Sequence, residues 1–277
     1  MGLFKNVFDF YLNSSIHVAL SVYALTWITL MTFQINYDEN ILYFNFFATI
    51  TGYNFVKFFG LAKFHHRSLA NWLKVIQVFS LICFVALCYY ALRLETKTLL
   101  WIGGFAAVTF LYAIPFLPRH IFVDQQQNLR SVSGLKIYVI ALVWSGVTVF
   151  LPLMNNDFTI NFDVVITAVQ RFLFVIVLML PFEIRDMRYD SIKLATIPQK
   201  IGIKKTKIMG AIFLLAFFSI EYLKDELNFE STIILFVISL LTFLFVFFSK
   251  ENQGKYYSAF WVEGIPIFWL IILKLFS

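Results

Sequence analysis

The sequence predicts an all-α membrane protein: nine transmembrane helices, N-terminus inside and C-terminus outside. Three observations carry that reading: an apolar surplus, nine apolar runs of spanning length, and a one-sided placement of Lys and Arg. The 277 residues are 60% hydrophobic, 19% aromatic and only 14% charged, with a mean hydropathy of +0.79. Soluble domains carry roughly 25% charged residues, and a soluble fold of this length could not hide so much apolar surface. The same composition excludes disordered, collagen-like and disulfide-rich secreted classes. A nucleic-acid reader is also excluded, although the net charge is +6.

A spanning helix needs about 20 mostly apolar residues. Taken in order, the runs are 14–35, 41–60, 73–92, 98–117, 134–153, 164–184, 207–223, 231–249 and 257–275. The first continues at full spanning length with no small-residue cleavage site, so it reads as a helix and not as a cleaved signal peptide. Asp38–Glu39 separates it from the second run, and Arg93 with Lys97 separates the third from the fourth. Pro118 follows the fourth, Asp157 and Asp163 lie between the fifth and sixth, and Asp225–Glu226 divides the seventh from the eighth. With the N-terminus inside, seventeen of the 22 basic residues fall on the inner segments. Arg93, Lys97, Arg171, Lys224 and Lys274 fall on the other side, together with the acidic clusters. This bias is the positive-inside rule, and it predicts a multi-pass protein with its N-terminus on the cytoplasmic side. No linker or soluble segment interrupts residues 1–277, which read as a single polytopic membrane domain. Cys83 and Cys88 share one run, five residues apart, and read as small core hydrophobes.

Polar residues inside a membrane are costly and mark function. Three inner segments hold them: Thr51–Arg67, Pro118–Arg130 and Pro181–Gly202. In the third, Asp186 and Asp190 are one helical turn apart, which would put both carboxylates on one face. Like charges at that spacing repel unless a cation joins them. Mg²⁺ takes carboxylate oxygens together with substrate phosphates, and Arg185, Arg188, Lys193 and Lys200 lie alongside. The pattern fits a metal-bridged phosphate site, and equally a solvated helix end laced with Asp–Arg pairs.

Asp186-x-x-x-Asp190, then Thr196-Ile197-Pro198, then Gly202 leading into the next helix, resembles the second aspartate motif of the UbiA family of intramembrane prenyltransferases. The family's Leu is Ile197 here. Nine spans with the motif after the sixth, and the Leu111–Arg130 connection, are also similar to that family. The resemblance implies a central cavity facing the cytoplasm. It further implies Mg²⁺ held by Asp186 and Asp190, and a prenyl diphosphate whose ionisation gives an allylic cation for an aromatic or other lipophilic acceptor. Asn54, Lys57, Arg119 and Lys193 are then the candidate diphosphate contacts.

The family's first motif, N-x-x-x-D with a further acidic residue, has no full counterpart. Asn54 aligns, but Phe58 and Ala62 stand at the next two positions, and no acid occurs between Glu39 and Glu95. Two accounts follow. Either Lys57 takes over the charge of one metal ion, since an ammonium binds phosphate as a point charge, or the chain is a catalytically inactive UbiA-like scaffold subunit with membrane-protein partners. A lipid transporter is a third reading, but matching halves with broken helices are not visible. Among smaller signals, His65–His66 read as interfacial loop residues, and Arg171 as a structural charge with Asp163 or Glu221 for a partner. Glu263 reads as a packing carboxylate or a cavity acid or base. Gly103–Gly104 and Gly146 read as close-packing positions.

Overall fold

The computed structural model describes residues 2–62, 71–113, 135–188 and 196–276. His65, His66, Arg119, Asp190 and Lys193 lie outside the described residues. No strand occurs among the described residues. The helices are α1 (Gly2–Asn13), α2 (Ile16–Thr32), α3 (Glu39–Ala62), α4 (Asn71–Ala91), α5 (Thr96–Ala113), α6 (Leu135–Ser145), α7 (Leu151–Asn155), α8 (Phe162–Asp186), α9 (Ile197–Ile201), α10 (Ile203–Ser219), α11 (Phe229–Phe248) and α12 (Ile265–Phe276). Two π-helical stretches, Gly146–Phe150 and Tyr257–Val262, join α6 to α7 and lead into α12.

Six runs among the described residues are long and apolar enough to cross a membrane: Leu73–Ala91, Leu135–Asn155, Phe162–Asp186, Ile203–Leu223, Phe229–Phe248 and Tyr257–Phe276. The pair α1 and α2, bent by 56° at Ser14–Ser15, qualifies only when taken together. The described part of each of the nine apolar runs is helical, yet α3 and α5 fall short of the six. The physical reason in α3 is visible: Asn45, Thr49, Thr51, Asn54 and Lys57 interrupt its apolar surface.

The bundle is organised around α8, the run Phe162–Asp186. Asn161 caps its start by accepting the Val164 N–H at 3.0 Å. Its length is then buried against α6 on one side and α10 on the other. Phe174 stacks on Phe217 of α10 and meets Trp269 of α12 edge-on, with centroids 5.3 and 5.4 Å apart. On the other flank, α2 packs between α3 and α12, and α3 packs on α4. Outward faces remain apolar, as at Val75, Val78, Leu81, Ile82 and Val85 on α4. Such a band suits a lipid solvent and would be a liability in water.

Gly146 is a true close approach: the Phe105 ring of α5 occupies the place a Cβ would take. Gly103 and Gly104 face open space, so the packing role predicted for them belongs to Gly146 alone. The Thr196–Gly202 stretch also has a local explanation. The Thr196 N–H donates to Gln199 Oε1 at 2.9 Å, Pro198 sits in the first turn of α9, and Gly202 turns into α10 at φ +80°, which glycine alone adopts without strain.

Candidate functional site

A cavity of about 1260 Å³ opens between α3, α4, α5, α6 and α8, lined at one end by α1 and residues 255–263. Its body is apolar, walled by Phe44, Leu87, Ile102, Phe105, Leu151 and Val175 among others. Further aromatic rings stand nearer the polar end: Tyr53, Phe55, Trp144, Phe182 and Tyr256. Trp144 Nε1 donates to the Tyr53 hydroxyl at 3.0 Å, which fixes both rings in the wall. Composition alone could not say which of the 35 phenylalanines line a pocket.

The polar end is built from several elements. Lys57 comes from the last turns of α3, Lys136 from the first turn of α6, Arg185 from the last turn of α8, and Lys255 and Glu263 from the segment before α12. Each cation has an acidic neighbour. Lys136 Nζ lies 3.4 Å from the buried Glu183 carboxylate. Arg185 Nε bonds Asp186 Oδ1 at 2.8 Å, and its guanidinium stands over the Phe182 ring. Lys255 bonds Asp9 of α1 at 2.6 Å, and Tyr256 donates to the same oxygen at 3.1 Å. That pairing lowers the Asp9 carboxyl from its ordinary value and raises the Lys255 ammonium. Glu263 attracts both Lys57 and Arg185 across the cavity, and Lys57 Nζ also donates to the Asn13 carbonyl at 2.9 Å. Among the described residues three ion pairs therefore stand at the cavity mouth, Lys136–Glu183, Arg185–Asp186 and Lys255–Asp9, with Lys57 and Glu263 in the same wall.

Two devices position this ring. The π-helical stretch Tyr257–Val262 widens the helix so that the Glu263 N–H bonds back to the Ser258 carbonyl at 3.1 Å, and it delivers Glu263 to the wall. Pro181 interrupts α8 one turn before Arg185, and Gln253 donates to the Pro181 carbonyl at 2.9 Å. The end of α8 is thereby held against the 250–255 loop.

Several expectations change here. Asn54 is absent from the cavity wall. Its Oδ1 accepts from Ser15 Oγ at 2.8 Å, and its Nδ2 donates to the Ser14 carbonyl and to Ser80 Oγ at 3.0 and 2.7 Å. It fastens the bend between α1 and α2, where Ser15 has a left-handed φ of 64°, and a contact to substrate would require those bonds to break. Asp186 is the last residue of α8 and Asp190 lies outside the described residues, so the face the two share stands as an expectation of the sequence. Cys83 is buried as expected, but Cys88 is exposed and lines the cavity. Arg171 pairs with neither Asp163 nor Glu221. Its Nη2 donates to Thr29 Oγ1 at 3.3 Å, and its guanidinium faces Trp269. Sequence reading missed Lys136 and Glu183 as a pair. The available signal was only that Glu183 lies one turn before Asp186.

Among the described residues no group of three or more His, Cys, Asp or Glu comes together to hold a metal ion. Asp186 offers a single carboxylate, one oxygen of which is engaged by Arg185. The described residues alone therefore do not fit a Mg²⁺ site.

No protein-family model matches the chain, and no curated protein matches it by sequence. Solved structures do. A UbiA homologue from Aeropyrum pernix K1, in its apo form, superposes with a TM-score of 0.65 at 14% identity, over 94% of this chain and 98% of that one. A membrane digeranylgeranylglyceryl phosphate synthase superposes with a TM-score of 0.56 at 14% identity, over 98% and 95%. Near-complete coverage by two such structures supports one conclusion: this chain has the fold of the UbiA intramembrane prenyltransferases.

Proposed function

We propose that the protein transfers a prenyl group from a prenyl diphosphate to an aromatic or other lipophilic acceptor, in a Mg²⁺-dependent reaction at the cytoplasmic membrane face. The observation that carries this reading is the shape of the cavity: an apolar body of about 1260 Å³ with its charged groups gathered at one end. That is the complement of an amphiphile with a long apolar tail and an ionic head. The fold shared with a digeranylgeranylglyceryl phosphate synthase supports it further.

In this reading the aromatic and aliphatic wall holds the prenyl chain and keeps water from the allylic carbon. Lys57, Lys136 and Arg185 meet the diphosphate, whose negative charge grows as the carbon–oxygen bond breaks. Three of the cations at the mouth already stand beside carboxylates, so a diphosphate calls for further positive charge. Arg119 and Lys193 are assigned that role, with Mg²⁺ held by Asp186 and Asp190. Bound there, the metal would supply positive charge to the leaving diphosphate. Asn54 is assigned a positioning role, since it sets α3 one turn before Lys57. The proposed topology is nine spans in a bacterial-type inner membrane, N-terminus inside and C-terminus outside, on the strength of the Lys and Arg bias.

The test is diphosphate release. Purified protein is given a prenyl diphosphate and a panel of aromatic and other lipophilic acceptors, with Mg²⁺ or with a chelator, alongside Asp186→Ala and Asp190→Ala. Metal-dependent release, lost in both variants, is expected. Absence of release under every condition would sink the enzyme and leave the scaffold subunit with membrane-protein partners.

A further inference from the structure

Glu183, Asp186 and Asp9 at the cavity mouth each stand beside a cation, at 3.4, 2.8 and 2.6 Å. Glu263, in the same wall, is built differently. Its backbone is held on both sides. The N–H donates to the Ser258 carbonyl at 3.1 Å, and Ser21 Oγ of α2 donates to the Glu263 carbonyl. The turn before it is fixed as well. The buried His17 donates from Nε2 to the Phe260 carbonyl at 2.9 Å, so its Nδ1 accepts from the Tyr11 hydroxyl at 2.6 Å. Gly264 leaves room for this contact, because a Cβ there would stand 2.8 Å from the Phe260 carbonyl oxygen and 3.3 Å from His17 Nε2.

The side chain, in contrast, makes no hydrogen bond or ion pair among the described residues. Lys57 of α3 and Arg185 of α8 attract it across the cavity without touching it. It is half-buried where it lines the wall, and Trp261 takes the outward side of the segment. A carboxylate kept at that depth without a donor is costly, and a ligand that brings the donor removes the cost. Charge separates three ligand classes. A diphosphate is repelled by Glu263 and drawn to the cations. An ammonium is drawn to Glu263 but repelled by Lys57 and Arg185. A neutral hydroxyl suits both sides: it donates to the carboxylate, and the cations favour the negative charge that grows on its oxygen as the proton leaves. We propose that the acceptor of prenyl transfer carries a hydroxyl group and that Glu263 is the base that takes its proton. This rests on the prenyl-transfer reading and adds the acceptor class to it. In the step, the bond between the allylic carbon and the diphosphate oxygen breaks, with its electron pair leaving on the diphosphate. The acceptor oxygen bonds the allylic carbon, its proton passes to the Glu263 carboxylate, and the product is a prenyl ether.

The experiment uses the full chain in detergent with Mg²⁺ and a prenyl diphosphate. The acceptor probes are a long-chain alkylphenol and a long-chain alcohol, each beside its methyl ether. Prenyl ether formation and prenyl thiodiphosphate binding are measured for the wild type, Glu263→Gln and Glu263→Asp. The wild type should prenylate a hydroxyl probe and neither methyl ether. Glu263→Gln should lose transfer about 100-fold or more, the scale of general base catalysis, while thiodiphosphate binding stays within about twofold. Glu263→Asp keeps a carboxylate and should recover part of the rate. Three results would overturn the proposal: transfer by Glu263→Gln at the wild-type rate, loss of thiodiphosphate binding together with transfer, or no transfer to either hydroxyl probe by a wild type that binds thiodiphosphate. Absence of thiodiphosphate binding in the wild type would instead sink the prenyl-transfer reading, and the proposal with it.

Discussion

Charged side chains are kept inside this bundle in two places, on different terms. At the Lys57 end they ring the mouth of a cavity of about 1260 Å³, and each cation has a carboxylate nearby. At the Arg171 end they close around about 50 Å³, and one guanidinium is left over. The first arrangement keeps its charges reachable by a large ligand. The second buries them so that they serve helix packing. The difference teaches that a charge in an apolar helix signals function only together with the volume it faces.

The largest effect on stability should come from the compact cluster. Glu221→Leu leaves the largely buried Lys224 without its carboxylate and Gln170 with one acceptor fewer, and an unpaired buried charge costs about 3–5 kcal/mol. Thermal unfolding should show that loss, while the folded fraction still binds a prenyl thiodiphosphate. Lys57→Ala should do the opposite. Its stability cost should stay below about 1 kcal/mol, and thiodiphosphate binding should weaken at least tenfold, the value of one charged hydrogen bond. Should the two variants behave alike, the contrast between the two ends fails.

Gly146→Ala sharpens the comparison within the cavity wall. A methyl there meets the Phe105 ring, so the cost should be about 1–3 kcal/mol of overpacking. The displaced ring moves toward the cavity, and long prenyl chains should lose more affinity than short ones in a binding series. The smallest effect concerns the Asp9–Lys255 pair at the mouth. Asp9 is held below its ordinary carboxyl range, chiefly by its hydrogen bond from Lys255. Its contribution is therefore present above pH about 4 and fades as pH falls below that. Lys255 is held above its ordinary value by the same bond, so its share is lost only as pH rises past the lysine range. Hydrogen-exchange protection along α1, each rate taken relative to the intrinsic rate at that pH, should fall in acid in the wild type, and an Asp9→Asn variant should be weakly protected already at neutral pH.

Much of the fold was legible because lipid imposes simple rules: long apolar runs became helices, and an apolar outer face remained on α4. The crossing count was less legible, since α3 spends its polar residues on the cavity and on Ser14, Ser15 and Ser80. Lys57 and Glu263 were readable as costly charges at depth. Asn54 misled, because an amide that fastens a helix bend has the same sequence signature as one that meets a ligand. The Lys136–Glu183 pair was hidden by its separation along the chain, and Asp190, the second half of the one-turn spacing, lies outside the described residues.

The central claim is that one cavity accepts an apolar tail and an anionic head together. The direct measurement is equilibrium binding of a prenyl thiodiphosphate to the purified protein, beside the matching prenyl alcohol and inorganic diphosphate. The account predicts that the intact amphiphile binds at least tenfold tighter than either half, and that Lys57→Ala removes most of the advantage over the alcohol. Equal binding of alcohol and thiodiphosphate, or no binding of any of the three, would contradict it.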